Sequence, residues 1–250
     1  MWNSRLKDIV RRVANAAGYE VRRIQKPLFP VKIDLPALLP EHVADAALYS
    51  DRNEALAGLP RNGVVAELGV AFGDFSETMI HHLNPLRFDA FDIFRGHESE
   101  TFWDRPTAEC FGELSHRQFY ERRFAKEIGA NRLCVYEGDS ATELGKQPDA
   151  TYDVIYIDSD HSFAGVVRDA KVATRKVKPD GILVFNDYIM FDHHYGQPYG
   201  VAPVVHDLCV NQGWRVAYLA MQRHLFFDIA LRRKTSVEVP KSGDIRIDPR

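Results

Sequence analysis

The sequence predicts an α/β fold: a mostly parallel sheet of seven strands, helices on both faces, and an antiparallel hairpin at its C-terminal end. Three observations predict it. Short apolar runs recur from Gly63 onward, as VVAEL (64–68), RFDAFD (87–92), RLCVYE (132–137), YDVIYI (152–157) and GILVFN (181–186). Helical stretches around 75–83, 112–128 and 162–177 fall between them, the alternation expected of parallel strands buried on both faces. After a further helix, VAPVVHDLCVNQ, only Gln222, Arg223 and His224 separate WRVAYLAM from LFFDIALRR. That link is too short for a crossover, so these two strands pair antiparallel.

In chain order, residues 1–41 stand apart as an N-terminal amphipathic basic helix and a linker. Trp2, Leu6, Ile9, Val10, Val13, Ala17, Val21 and Ile24 fall on one helical face. Over residues 1–26 seven basic residues (Arg5, Lys7, Arg11, Arg12, Arg22, Arg23, Lys26) face two acidic ones, Asp8 and Glu20. Peripheral contact with an anionic membrane surface is one reading of this helix. Packing on its own domain or on a partner subunit is the other, and apolar faces more often find protein. Pro27, Pro30, Pro36 and Pro40 mark the linker. The main domain follows as residues 42–232, and residues 233–250 form a polar tail read as poorly ordered.

Composition narrows the function. The 250 residues are 45% hydrophobic and 27% charged, a globular balance sufficient for one core with extensions. A net charge of −3 gives no drive toward nucleic acid. The chain shows neither a bilayer-length apolar run nor a secretory h-region. Cys110, Cys134 and Cys209 are widely spaced and read as buried free thiols. A cytoplasmic protein is expected.

The chemistry centres on VVAELGVAFGDFSETMI (64–80). Gly69 and Gly73 let backbone pass close to a ligand, and Asp74 with Glu77 reads as a helix cap. The dinucleotide fingerprint is absent, since Ala71 and Asp74 stand where glycines would be needed. Glu67, just before the turn, disfavours a pyrophosphate and favours a ligand with a positive end.

With its followers this turn resembles a class I S-adenosylmethionine-dependent methyltransferase, whose fold is a Rossmann-like seven-stranded sheet. FDAFDIFRG places Asp92 where that superfamily holds the ribose hydroxyls. VYEGDSATEL places Asp139 and Ser140 beside the adenine, and the resemblance spans roughly residues 45–232. IDSDHSF and FNDY are similar to stretches in the group containing the cephalosporin hydroxylase-like and macrocin-type sugar O-methyltransferases. The resemblance therefore implies S-adenosyl-L-methionine as cofactor, bound through Glu67, Gly69, Gly73, Asp92, Asp139, Ser140 and Asp158. It also implies Mg²⁺ on Asp158, Asn186 and Asp187, hard oxygen donors that leave water positions open. Asn186 stands where several metal-binding relatives carry an acid, so the site holds two formal negative charges instead of three and binds the ion more weakly. Asp158 and Asp187 have a metal-free reading as well, as cofactor positioning and loop hydrogen bonding.

Asp160 is the first candidate for the base that takes the acceptor's proton and His161 the second. The acceptor is read as a small molecule or glycan, with methyl transfer to a hydroxyl of a sugar, glycan or glycosylated natural product. YIMFDHHYGQPYG (188–200) lies on the rim where it enters; Phe102, Trp103 and Phe111 either face it or pack beneath a helix. Two other readings compete: a metal-dependent hydrolase using Asp158, Asp160, His161 and Asp187, and a non-catalytic cofactor-binding scaffold. The hydrolase leaves Glu67 and Asp92 without a role. Association into a homo-oligomer is a further expectation.

Overall fold

The structure, a computed structural model, describes residues 35–234. The basic helix assigned to residues 1–26 and nearly all of the polar tail lie outside them. Eight strands form one sheet: β1 (Ala47–Tyr49), β2 (Val64–Leu68), β3 (Arg87–Asp92), β4 (Leu133–Glu137), β5 (Tyr152–Ile157), β6 (Val177–Phe185), β7 (Trp214–Met221) and β8 (Phe227–Arg233). Their order across the sheet is β1-β7-β8-β6-β5-β2-β3-β4. β8 runs antiparallel to both β6 and β7; every other pairing within this sheet is parallel.

The mostly parallel sheet and its C-terminal hairpin agree with the sequence reading, with one strand more than the seven expected. The addition is β1, an edge strand parallel to β7. Three residues are too few to show an alternation, so its pairing is set by the neighbour and not by its own pattern.

The principal helices are α1 (Asp74–Leu83), α2 (His116–Arg123), α3 (Ser140–Gly145), α4 (Phe163–Lys176) and α5 (Val201–Asn211). The expected long helix at 112–128 is instead broken into His116–Arg123 and Ala125–Gly129, after a short turn of helix at Thr107–Phe111. Gly112, at φ +62°, ends that first turn in the left-handed region. Ser115 then starts α2 by accepting the Gln118 N–H, reciprocated by the Gln118 side chain on the Ser115 N–H.

Adjacent residues of each central strand feed opposite faces. Ala66 and Leu68 of β2, Ile155 and Ile157 of β5 and Leu183 of β6 pack with Val166 and Ala170 of α4 and Val204 of α5. Val65, Val154, Tyr156 and Val184 pack with Phe75 and Met79 of α1 and Tyr120 of α2. Burial on both faces explains why these strands read as continuous apolar runs.

All three cysteines are free thiols, as expected; only Cys209 is buried, whereas Cys110 and Cys134 are partly exposed. Among the described residues no helix is long and apolar enough to cross a membrane.

Candidate active site

Strand order reverses at β2, whose neighbours β3 and β5 continue in opposite directions across the sheet. Loops leaving the carboxyl ends of strands on either side of such a point diverge and open a crevice. Here the crevice is a cavity of about 1440 Å³, lined by Glu67, Gly69, Asp92, Asp139, Ser140, Asp158, Asp160, His161, Asn186 and Asp187 among others. Ten of the eleven residues singled out from the sequence thus meet in one place. Gly73 does not line it.

The loop after β2 is built around its two glycines for different reasons. Gly69 has φ +84°, and a Cβ there would stand 2.1 Å from the Asp158 carbonyl oxygen. This close approach brings the ends of β2 and β5 together. Gly73, at φ +82°, is the residue that starts α1, and a Cβ on it would meet the Phe124 ring at 2.6 Å. The sequence reading of Asp74 as helix cap is therefore corrected. Asp74 and Glu77 instead accept from the Arg123 guanidinium at 2.6 and 2.7 Å, and Arg123 also donates to the Phe72 carbonyl. His116 Nε2 lies 2.6 Å from the Ala71 carbonyl, so α2 props the loop at two points.

Asp92 ends β3 and organises the same loop. One carboxylate oxygen accepts the Val70 and Ala71 N–H groups at 2.9 and 3.3 Å; the other accepts the Phe94 N–H at 2.8 Å. Glu67 is fully buried and accepts from the Ser76 hydroxyl, which accepts in turn from Tyr120 at 3.0 Å. Burial, against the Ser76 bond and the charge of Arg52, pushes the Glu67 carboxyl up to about 8.

At the opposite wall, Asp139 caps α3 by accepting from the Thr142 N–H and hydroxyl at 2.9 and 2.7 Å. That hydrogen bonding holds its carboxyl below the ordinary range. The Ser140 hydroxyl donates to Asp169, a buried carboxylate on α4. Arg168, one residue earlier, spans Asp139 and Asp160 at 3.7 and 3.5 Å.

Asp158 and Asn186–Asp187 follow β5 and β6, which are paired neighbours. His161 Nε2 stands between the two carboxylates, 3.6 Å from Asp158 and 3.8 Å from Asp187, and is buried. Burial, then the charge of Asp187, pushes Asp158 well above the ordinary range. Burial, then Asp228, pushes Asp187 up to about 7. Burial lowers the His161 imidazole to about 4, and its ring stacks on Tyr199 at 4.7 Å. Asp160, at the cavity's edge, accepts the Ser162 N–H at 2.9 Å, and half its side chain is exposed.

Three participants had escaped the sequence reading. Arg52, in the short helix Arg52–Ala55, lies over the Phe75 ring at 4.2 Å and offsets the upward push on Glu67, Asp158, Asp187 and Asp228. Asp228 of β8 accepts the Asn186 amide N–H at 3.0 Å and the Tyr156 hydroxyl at 2.7 Å. Asp192, buried in the 188–200 loop, accepts from the N–H groups of His194 and Tyr195 and from the Tyr199 hydroxyl. None belongs to a local pattern; an acid before two histidines was the only hint of Asp192.

The donors suit a hard cation in type. Asp158 and Asp187 are partly buried acids, and the Asn186 amide nitrogen is committed to Asp228 and Tyr156, which leaves its carbonyl oxygen toward a cation. No three His, Cys, Asp or Glu side chains among the described residues are arranged to hold a metal ion. Any such site here would rest on two acids and an amide.

Comparison with known proteins accords with the geometry. Residues 66–188 match a family model described as "Methyltransferase domain". No curated protein matches the chain significantly. Among solved structures, the pyocyanin biosynthetic protein PhzM aligns at 14% identity and a TM-score of 0.50, over 74% of this chain and 54% of its own. Spermidine synthase from Thermotoga maritima aligns at 15% identity, TM-score 0.48, over 84% of this chain and 60% of its own. A protein provisionally named a caffeoyl-CoA O-methyltransferase, from Staphylococcus aureus, aligns at 13%, TM-score 0.47, over 90% and 91%. The chain spans little more than half the length of the first two. The matched segment runs from β2 through the residues that follow β6, the stretch that supplies the ten cavity residues. Over residues 66–188 the chain thus resembles a methyltransferase domain.

Proposed function

We propose that the chain transfers a methyl group from S-adenosylmethionine to a hydroxyl of a sugar, glycan or glycosylated natural product, assisted by Mg²⁺. One observation carries the reading. The cavity floor holds Glu67, Asp158 and Asp187, whose carboxyl groups, like that of Asp228 bonded to Asn186, are all raised by burial, with the Arg52 guanidinium to offset them. Such a floor is short of positive charge, and a sulfonium, an ammonium and a divalent cation would supply it.

Glu67 and the Gly69 loop hold the amino-acid end of the cofactor, Asp92 the ribose, and Asp139 with Ser140 the adenine. Bound S-adenosylmethionine supplies an electrophilic methyl, so that a C–O bond forms as the C–S bond breaks and the hydroxyl proton is released. Asp158, Asp187 and the Asn186 carbonyl would hold Mg²⁺, which lowers the pKa of an oxygen bound to it. His161, with Nε2 between the two acids, is placed to receive the proton ahead of Asp160. Asp160 is engaged by the Ser162 N–H and by Arg168.

The acceptor side supports a ring-bearing substrate: Tyr195 and His194 of the 188–200 loop and Phe226 line the cavity. The His194 and Phe226 rings are parallel at 5.6 Å. Membership of the macrocin-type sugar O-methyltransferase group belongs to the same proposal.

The test is a calorimetric titration with S-adenosylmethionine, followed by incubation of methyl-labelled cofactor with a panel of glycans and glycosides, with and without a chelator. Saturable binding and label on oxygen support the reading. An absence of binding at millimolar cofactor removes it, and turnover that survives chelation and Asp187→Ala removes the metal alone.

A further inference from the structure

A buried carboxylate on α4 has no part in the scheme above, yet it reaches two residues of the cavity wall. Asp169 is 2% exposed and accepts the Ser140 hydroxyl on one oxygen, at 2.6 Å, and the Ser159 hydroxyl on the other. Ser140 follows β4 and Ser159 follows β5, so one side chain ties two separate loops of the wall. Both serines line the cavity.

A serine hydroxyl has one proton to donate and two lone pairs with which to accept. With each proton committed to Asp169, both hydroxyls offer the cavity acceptors only. Asp139 adds a carboxylate to the same wall. This surface suits a ligand group that donates and penalises one that only accepts.

The geometry points to Asp169 as a positioning residue that fixes the Ser140 and Ser159 hydroxyls as acceptors and so selects a 6-aminopurine over a 6-oxopurine. The inference rests on the proposed adenine position beside Ser140. A mismatched purine would face acceptors with an acceptor and lose at least one buried hydrogen bond, about tenfold in affinity or more.

Direct titration of the full chain with S-adenosylhomocysteine and with its 6-oxo analogue, S-inosylhomocysteine, tests it. The wild type is expected to favour the adenosyl compound by about tenfold or more. In Asp169→Asn the amide nitrogen donates to one serine and frees that hydroxyl's proton, so the preference should narrow to within about threefold. Ser140→Ala should narrow it without touching the buried acid, and it serves if Asp169→Asn does not fold. A wild type that binds neither compound overturns the cofactor reading itself. Equal binding of both by the wild type overturns the selection and leaves the cofactor reading standing. Variants that lose thermal stability but keep the wild-type preference reduce Asp169 to a structural tie and overturn the proposal.

Discussion

The cavity has two halves, built in different ways. On the proposed cofactor half, the walls are the residues at and just beyond the ends of β2, β3 and β4, held by hydrogen bonds to a strand end or a helix cap. The Asp92 carboxylate alone fixes three N–H groups. On the proposed acceptor half, the walls are the 188–200 loop and the β7–β8 turn, held by side chains: Asp192 on Tyr199, Tyr199 on His161, His194 on Phe226. A wall fixed by main chain tolerates little change. One fixed by ring contacts and a single carboxylate can be altered piecewise, which suits a half that must match its acceptor.

This contrast should break first at Gly69. Gly69→Ala places a Cβ against backbone that cannot withdraw, at a φ of +84°. A loss of roughly 3 kcal/mol or more is expected, read as a large fall in melting temperature together with loss of cofactor binding. A variant that keeps wild-type cofactor affinity would show that the loop is less rigid than the geometry implies.

Next is Asp92→Ala, which strips the acceptor from three N–H groups. Cofactor affinity should fall by about 100-fold, measured by calorimetry, with a smaller change in melting temperature. Asp92→Asn, which keeps one acceptor oxygen, should lie between.

Glu67 sharpens the comparison through pH. Its folded-state value of about 8 lies above the ordinary value of 4.5, so between these the folded chain holds a proton that the unfolded chain has lost. Its contribution to stability therefore declines as pH rises from 4.5 to about 8. A cationic cofactor favours the carboxylate, so binding should release a proton and strengthen by up to about tenfold per pH unit below 8. Glu67→Gln should flatten that profile; an unchanged slope in the variant would exclude Glu67 as its source.

The smallest effect is expected in the acceptor half. Tyr199→Phe removes the bond to Asp192 and keeps the ring on His161, at a cost of about 1 kcal/mol. Cofactor affinity should stay within about twofold of wild type. A tenfold loss would mean that the two halves are coupled and the comparison fails.

Legibility in the sequence follows the same division. Glu67, Gly69, Asp92 and Asp139 could be read because each sits at a fixed offset from an apolar run that ends in a turn. Gly73 was visible by spacing, but its reason, the Phe124 ring, is a contact across 51 positions. Arg52, Asp169 and Asp228 lie inside ordinary helical or strand patterns, where a charged residue is indistinguishable from a solvated one until the fold buries it. The edge strand β1 was hidden by its length, and the break at Gly112 by the helical period on both sides of it.

The sequence by itself determined the parallel α/β sheet, the C-terminal hairpin and the identity of ten cavity residues, because buried strands write continuous apolar runs and turns write glycines and acids. Tertiary structure decided what those residues do. It left Asp160 half exposed and buried His161 between two acids, set Arg52 among four acids, and gave the two wall serines a shared carboxylate. Those outcomes depend on distances between segments far apart in the chain, and charge, burial and hydrogen bonding are settled only when the segments meet.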